Sequence, residues 1–229
     1  MNKTASREDM SGPAGLPAHE QVYRHLREMI LFGELAPGQA VTIQGLTETL
    51  GAGMTPVREA LRRLTAEGAL DFQGNRRIAV PVLDHAALEE LTIARRALEP
   101  ELARRAAERA SPDVVEALSE IDTSIDTAMR RGDVPGYLIG NHAFHARINA
   151  CADAAILTGL VEGLWLRFGP SLRVVCGRFG TEGLPDRHKD LLDALSAGDA
   201  DAAASAMDAD VCQGMEQIAL GLGPAPPSD

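Results

Sequence analysis

The sequence predicts a mainly α-helical chain in two parts: three short helices with a β-hairpin, then an all-α antiparallel bundle. Three observations carry that expectation. Apolar residues recur at three- and four-residue spacing along most of the chain, as in helices that bury one face. Strand character is confined to Leu70–Gln73 and Ile78–Val80, around Gly74-Asn75-Arg76-Arg77. Charge also divides the chain. The 229 residues carry a formal net charge of −11, yet residues 18–83 hold seven arginines against seven acids, while residues 84–221 hold 13 basic and 23 acidic residues.

Composition excludes several classes. Hydrophobic residues make up 45%, which is globular rather than disordered. No run approaches the ~20 apolar residues of a membrane span. Residues 1–17 lack the apolar stretch of a signal peptide and, like residues 222–229, read as disordered tails. Three widely spaced cysteines, Cys151, Cys176 and Cys212, fit free thiols in a reducing cytoplasm. Only eight residues are aromatic, which argues against base stacking on single strands. The acidic total argues against DNA only until it is partitioned, because the first part is neutral.

In that first part, residues 18–83, Val22, Leu26, Met29 and Ile30 share one helical face between His19 and Phe32. Gly33 and Pro37-Gly38 break the chain. Thr42 is placed to cap a short helix burying Ile43, Leu46 and Leu50 and ending at Gly51. A third helix is expected with Thr55 as its cap, Pro56 at its first position and Val57, Ala60, Leu61 and Leu64 inward, ending at Gly68. Two helices across a tight turn plus a hairpin make a winged helix-turn-helix. Arg58, Arg62 and Thr65 fall on the outward face of the third helix. From there Arg58 can reach a guanine edge in the major groove, and Arg76 and Arg77 suit a phosphate or the minor groove. A solvated arginine face is the plainer reading of the same residues.

The string Gly33-Glu34-Leu35-Ala36-Pro37-Gly38, then Gly51, Thr55-Pro56-Val57-Arg58-Glu59-Ala60-Leu61, Leu64 and Glu67-Gly68, resembles the winged helix-turn-helix of the GntR transcription regulators. The resemblance implies that Thr55 and Arg58 contact operator DNA, with Gly74, Asn75 and Arg76 in the wing; Arg62 and Arg77 are DNA candidates from their placement alone. Family members carry Ser-Arg where this chain has Gly53-Met54, and a glycine where it has Arg77. These departures bear on operator sequence.

In the second part, residues 84–221, Asp84 is placed to cap a long helix with Leu88, Leu91, Ala94, Leu98, Leu102 and Ala106 inward and a kink at Pro100. Ser111-Pro112-Asp113 starts the next, with Val114, Leu118, Ile121 and Ile125 inward. Further helices are expected over roughly 135–151, 154–168, 171–179, 186–196 and 200–220, forming an antiparallel bundle. Asn141 and His145 share one helix face at i, i+4. His188 and Asp210 flank the Ser196–Asp199 turn at distances of ~12–16 Å along their helices, so they can face each other. Two imidazoles, an amide oxygen and a carboxylate suit a divalent metal ion such as zinc, nickel or manganese. A histidine near a helix start is more often a cap or surface group, so the residues alone leave both readings open.

Arg95-Arg96-Ala97-Leu98-Glu99-Pro100, Asn141-His142-Ala143-Phe144-His145 and His188…Leu191-Leu192-Asp193-Ala194-Leu195…Gly198-Asp199 resemble the FCD-type effector domain of the FadR branch of the same family. That resemblance implies metal ligation by Asn141, His145 and His188, with Asp210 where a histidine is usual. It also implies that Arg95 holds the carboxylate of a small organic acid, for which Arg173 in Leu172-Arg173-Val174 is a second candidate. His142 reads as a neighbour. Arg95 has a plainer reading too, as an i, i+4 partner of Glu99. The expectation is a homodimeric transcriptional regulator that binds a near-palindromic operator in double-stranded DNA, is controlled by a small acid, and has no membrane contact. The alternatives are a metal-dependent hydrolase of a small carboxylate substrate and a plain helical dimerisation module.

Overall fold

The computed structural model describes residues 16–73, 77–179 and 187–222. The head contains α1 (Ala18–Leu31), β1 (Ala40–Val41), α2 (Ile43–Leu50), α3 (Met54–Ala66), β2 (Asp71–Gln73) and β3 (Arg77–Ala79). The bundle contains α4 (His85–Ala107), α5 (Pro112–Arg131), α6 (Val134–Cys151), α7 (Ala155–Phe179), α8 (Arg187–Ala197) and α9 (Ala200–Leu222). The fold is mainly helical, a winged helix-turn-helix followed by an all-α bundle.

The head is built around Leu26, Ile30, Val57, Leu61 and Leu64, all almost fully buried. These are the residues of the apolar stripes on α1 and α3, so local periodicity and packing agree. Thr42 caps α2 by accepting from the Gly45 N–H. Gly51 ends α2 with φ 59°, and this left-handed cap makes the short turn into α3 possible without a Cβ penalty. The start of α3 departs from expectation. Its N-cap is Gly53, with no side-chain cap bond, so Thr55 lies exposed inside the first turn and Pro56 one position further on. The sheet also has a third strand, in the order β1-β3-β2, with Val41 opposite Ile78 and Phe72 opposite Ile78 on the other side. Two residues are too few for β1 to leave a periodic signal.

In the bundle, Asp84 and Ser111 cap α4 and α5 as expected, accepting from the Ala87 and Val114 N–H groups. Leu102, Leu118, Ile148, Leu191 and Met207 form its fully buried centre. The helices expected over 154–168 and 171–179 are one helix, α7, which runs through Pro170. An interior proline costs ~3 kcal/mol. Burial of Trp165, Leu166, Phe168, Leu172 and Val175 on both sides of it offsets that cost, at ~1.5–3 kcal/mol for each large apolar side chain. Likewise α4 is continuous through Pro100.

Head and bundle meet along α7. Arg27 of α1 pairs with Glu162 at 3.2 Å, and Phe32 meets the ring of His142 edge-on at 5.8 Å. Gly169 packs against the Leu31 carbonyl. Gly33 leaves room for the stem of Arg173, which a Cβ at Gly33 would approach to 2.6 Å.

Candidate metal and effector centre

Helix α6 turns Asn141 and His145 inward, where both are buried. The α8–α9 hairpin brings the other two predicted ligands alongside. His145 Nε2 lies 3.2 Å from Asp210 Oδ2, and His188 Nε2 lies 3.9 Å from Asp210 Oδ1. One ligand atom each from His145, His188 and Asp210 falls within 4.8 Å of the other two, close enough to hold a metal ion together. Both imidazoles thus turn Nε2 to the carboxylate and Nδ1 away from it.

Behind each imidazole stands another carboxylate. Asp122 Oδ1 on α5 is 3.1 Å from His188 Nδ1, and Glu99 Oε2 on α4 is 3.6 Å from His145 Nδ1. Burial alone would lower the His145 pKa, but Asp210 and then Glu99 outweigh it and raise the pKa to about 9. Burial would raise Asp210 in turn, and His145 instead holds it below the ordinary carboxylate range. The two carboxylates thus favour positive charge beside His145, and a divalent cation held through its Nε2 would take the place of the proton there. Two imidazoles and a carboxylate are suitable donors for a divalent transition metal.

The cluster opens into a cavity of about 50 Å³, whose walls include Arg95, Asn141, His145, Trp165, Phe168 and Asp210. Arg95 is 3% exposed and forks onto Glu99, with Nε–Oε1 at 2.5 Å and Nη2–Oε2 at 3.1 Å. Its guanidinium also lies over the Phe168 ring at 4.1 Å. Burial would raise the Glu99 pKa, and Arg95 with His145 reverses that. The i, i+4 pair with Glu99 and the cavity position are therefore both present. Arg173 is elsewhere: it is half-buried against Gly33 in the head and is not part of the cavity wall, because its place on α7 faces α1. His142 stacks edge-on with Phe32 and Trp165 rather than joining the cluster. Burial, then Arg27, lowers its pKa to about 4.

On the head, Thr55, Arg58, Arg62 and Arg77 are exposed. Arg62 pairs with Glu59 at 2.9 Å, whereas Arg58 makes no ion pair among the described residues. Thr65 is half-buried and returns its hydroxyl to the Leu61 carbonyl. Gly74, Asn75 and Arg76 lie outside the described residues.

Sequence reasoning missed Asp122 as part of this site, and saw Glu99 only as a partner for Arg95. A signal for Asp122 was available. It sits four residues after Leu118 and three before Ile125, an acid on the buried stripe of α5. Glu99 and Arg95 likewise occupy the buried face of α4, where Ala94 and Leu98 were expected and are only half-buried.

A winged helix-turn-helix head on a helical bundle with a buried polar centre defines a DNA-binding regulator. Residues 18–80 match the gntR family of bacterial regulatory proteins, and residues 90–211 match the FCD domain. The chain is 32% identical over 152 residues to the HTH-type transcriptional regulator McbR of Escherichia coli K12, covering 66% of this chain and 69% of that one. It is 26% identical over 195 residues to the transcriptional repressor RspR of the same organism, covering 83% and 84%. The solved structure of E. coli McbR/YncC superposes with a TM-score of 0.84 at 27% identity, covering 90% of this chain and 99% of that one. The chain belongs to the GntR family of transcriptional regulators, in the branch with an FCD domain. It is a DNA-binding regulator and not an enzyme, which decides against the hydrolase reading. Among the described residues no helix is long and apolar enough to cross a membrane.

Proposed function

We propose that the chain is a cytoplasmic homodimeric regulator, in which residues 18–83 bind a near-palindromic operator and residues 84–221 sense a small organic acid at a metal centre. Two copies of α3 related by a twofold axis would read the two half-sites, since dimer symmetry is mirrored in the DNA. Thr55, Arg58 and Arg62 on α3, with Gly74, Asn75, Arg76 and Arg77 in the wing, are the proposed DNA contacts. Arg58 is exposed and without an ion-pair partner among the described residues, so its guanidinium can meet a base edge without breaking a salt bridge.

The observation that carries the sensing role is the convergence of His145, His188 and Asp210 beside a cavity. His145, His188 and Asp210 would hold a divalent cation, with Asn141 next to them. When bound, that cation supplies positive charge and open coordination positions to a carboxylate. Arg95 orients the cavity wall, but Glu99 already occupies its fork, so the acid's attraction rests mainly on the metal centre. The cavity volume favours a small acid, since each water-sized position takes ~10–15 Å³.

Two measurements test this reading. Selection of the full-length protein against a random duplex library should enrich an inverted repeat. A thermal-shift screen of short carboxylic acids should find a binder whose stabilisation disappears with chelator. Enrichment of unrelated sequences, or acid binding unaffected by chelator, would overturn the respective half.

A further inference from the structure

We propose that Asp122 is a positioning residue of the metal centre, holding the His188 imidazole in the tautomer and orientation that aim Nε2 at Asp210. The inference rests on the metal reading above and extends it to a residue on α5.

Asp122 is 6% exposed, on a helix face otherwise filled by Leu118 and Ile125. A carboxyl group in such a place costs free energy unless it finds a polar partner. Its partner is His188 Nδ1 at 3.1 Å, 66 residues away in sequence. A carboxylate offers lone pairs only, so Nδ1 carries the hydrogen and donates it. That leaves the Nε2 lone pair free, on the side of the ring facing Asp210 and His145. The ring is also fixed in plane by Phe144, stacked at 4.1 Å and 16°. Hydrogen bonding and stacking together allow His188 little freedom of rotation. The corresponding contact behind His145 is longer, 3.6 Å to Glu99, and Glu99 already serves Arg95. Among the described residues Asp122 has no second partner of that kind. A carboxylate accepting from the remote nitrogen of a metal-binding imidazole fixes its tautomer and raises its basicity.

A second acid on α5 supplies a control. Asp126, one turn further along, also reaches across to α8, lying 3.8 Å from Lys189 Nζ, but it does not touch His188. If carboxylates on α5 merely hold α8 in place, the two should matter alike.

The test is zinc affinity of the full-length protein, measured by competition with a chromophoric chelator. Asp122→Ala should weaken zinc binding about 10- to 100-fold. Asp122→Asn keeps an acceptor oxygen and should lose less, while Asp126→Ala should stay within twofold of wild type. Equal losses in Asp122→Ala and Asp126→Ala, or no loss in Asp122→Ala, would overturn the proposal while leaving the metal reading intact. Failure of the wild-type chain to bind zinc would overturn both. Should Asp122→Ala not fold, long-range ¹⁵N–¹H spectra of the metal-free wild type decide the matter. A hydrogen on His188 Nδ1 is expected, and one on Nε2 alone would overturn the proposal.

Discussion

Gly169 of α7 lies directly against the carbonyl oxygen of Leu31, the last residue of α1, and a Cβ at that glycine would overlap it. The backbone of the head and the backbone of the bundle are thus in contact. Three residues further along α7, Leu172 lines the cavity, as does Phe168, which precedes Gly169. One helix therefore bounds both the cavity and the seat of the head. A ligand that moves α7 must act on the head, provided it binds one arrangement better than another.

Gly169→Ala should therefore destabilise the protein by about 1–3 kcal/mol through overpacking against the Leu31 carbonyl. Gly163→Ala on the same helix meets nothing within 4 Å and should be neutral or stabilising, by up to ~1 kcal/mol. Thermal denaturation of the two variants checks the contrast. Similar melting temperatures would show that the backbone contact contributes little.

Arg58→Ala should weaken operator binding by about 1–3 kcal/mol and relax preference at one base position. Zinc affinity should not change, because Arg58 lies on the exposed face of α3, in the head. Gel-shift titration against a selected operator, paired with the chelator competition, reads both quantities. Unchanged operator affinity would remove α3 as the recognition helix.

The double substitution His145→Ala, His188→Ala should abolish stoichiometric metal, read by elemental analysis of purified protein. It leaves Asp210 without its neighbours in the ligand cluster. Retained metal would place the ion elsewhere.

Glu99→Ala should be strongly destabilising, by about 3–5 kcal/mol, since it leaves the buried Arg95 guanidinium uncompensated. Replacing both residues with apolar ones, as in Arg95→Met, Glu99→Leu, should recover much of that loss. Denaturant titration measures both. A mild effect of Glu99→Ala would mean that water or the Phe168 face satisfies Arg95.

How much of this was legible depends on the range of the signal. The helices of the head were readable because Val57, Ala60, Leu61 and Leu64 repeat with the helical period, and caps such as Thr42, Asp84 and Ser111 are local chemistry. The break expected between 168 and 171 failed because proline cost was weighed without the burial of Trp165, Phe168 and Leu172 around it. Thr55 was a poor guide to the start of α3, since a glycine can cap a helix with its backbone alone. At the candidate metal site, Asn141, His145, His188 and Asp210 were singled out by spacing together with the family resemblance; the structure gathers His145, His188 and Asp210 in one cluster and sets Asn141 in the adjoining cavity wall.

By itself, then, the sequence determined the helical class, the wing, the neutral head beneath an acidic total, and the residue types able to ligate a metal. These follow from periods of a few residues and from counts. Tertiary structure alone decided that Asp122 stands behind His188, that the Arg95–Glu99 pair lies in the interior, and that Arg173 faces the head instead of the cavity. Such pairings join residues of different helices or select one helix face over another. A helical period specifies that a face is buried, whereas the packing of distant helices decides what that face meets.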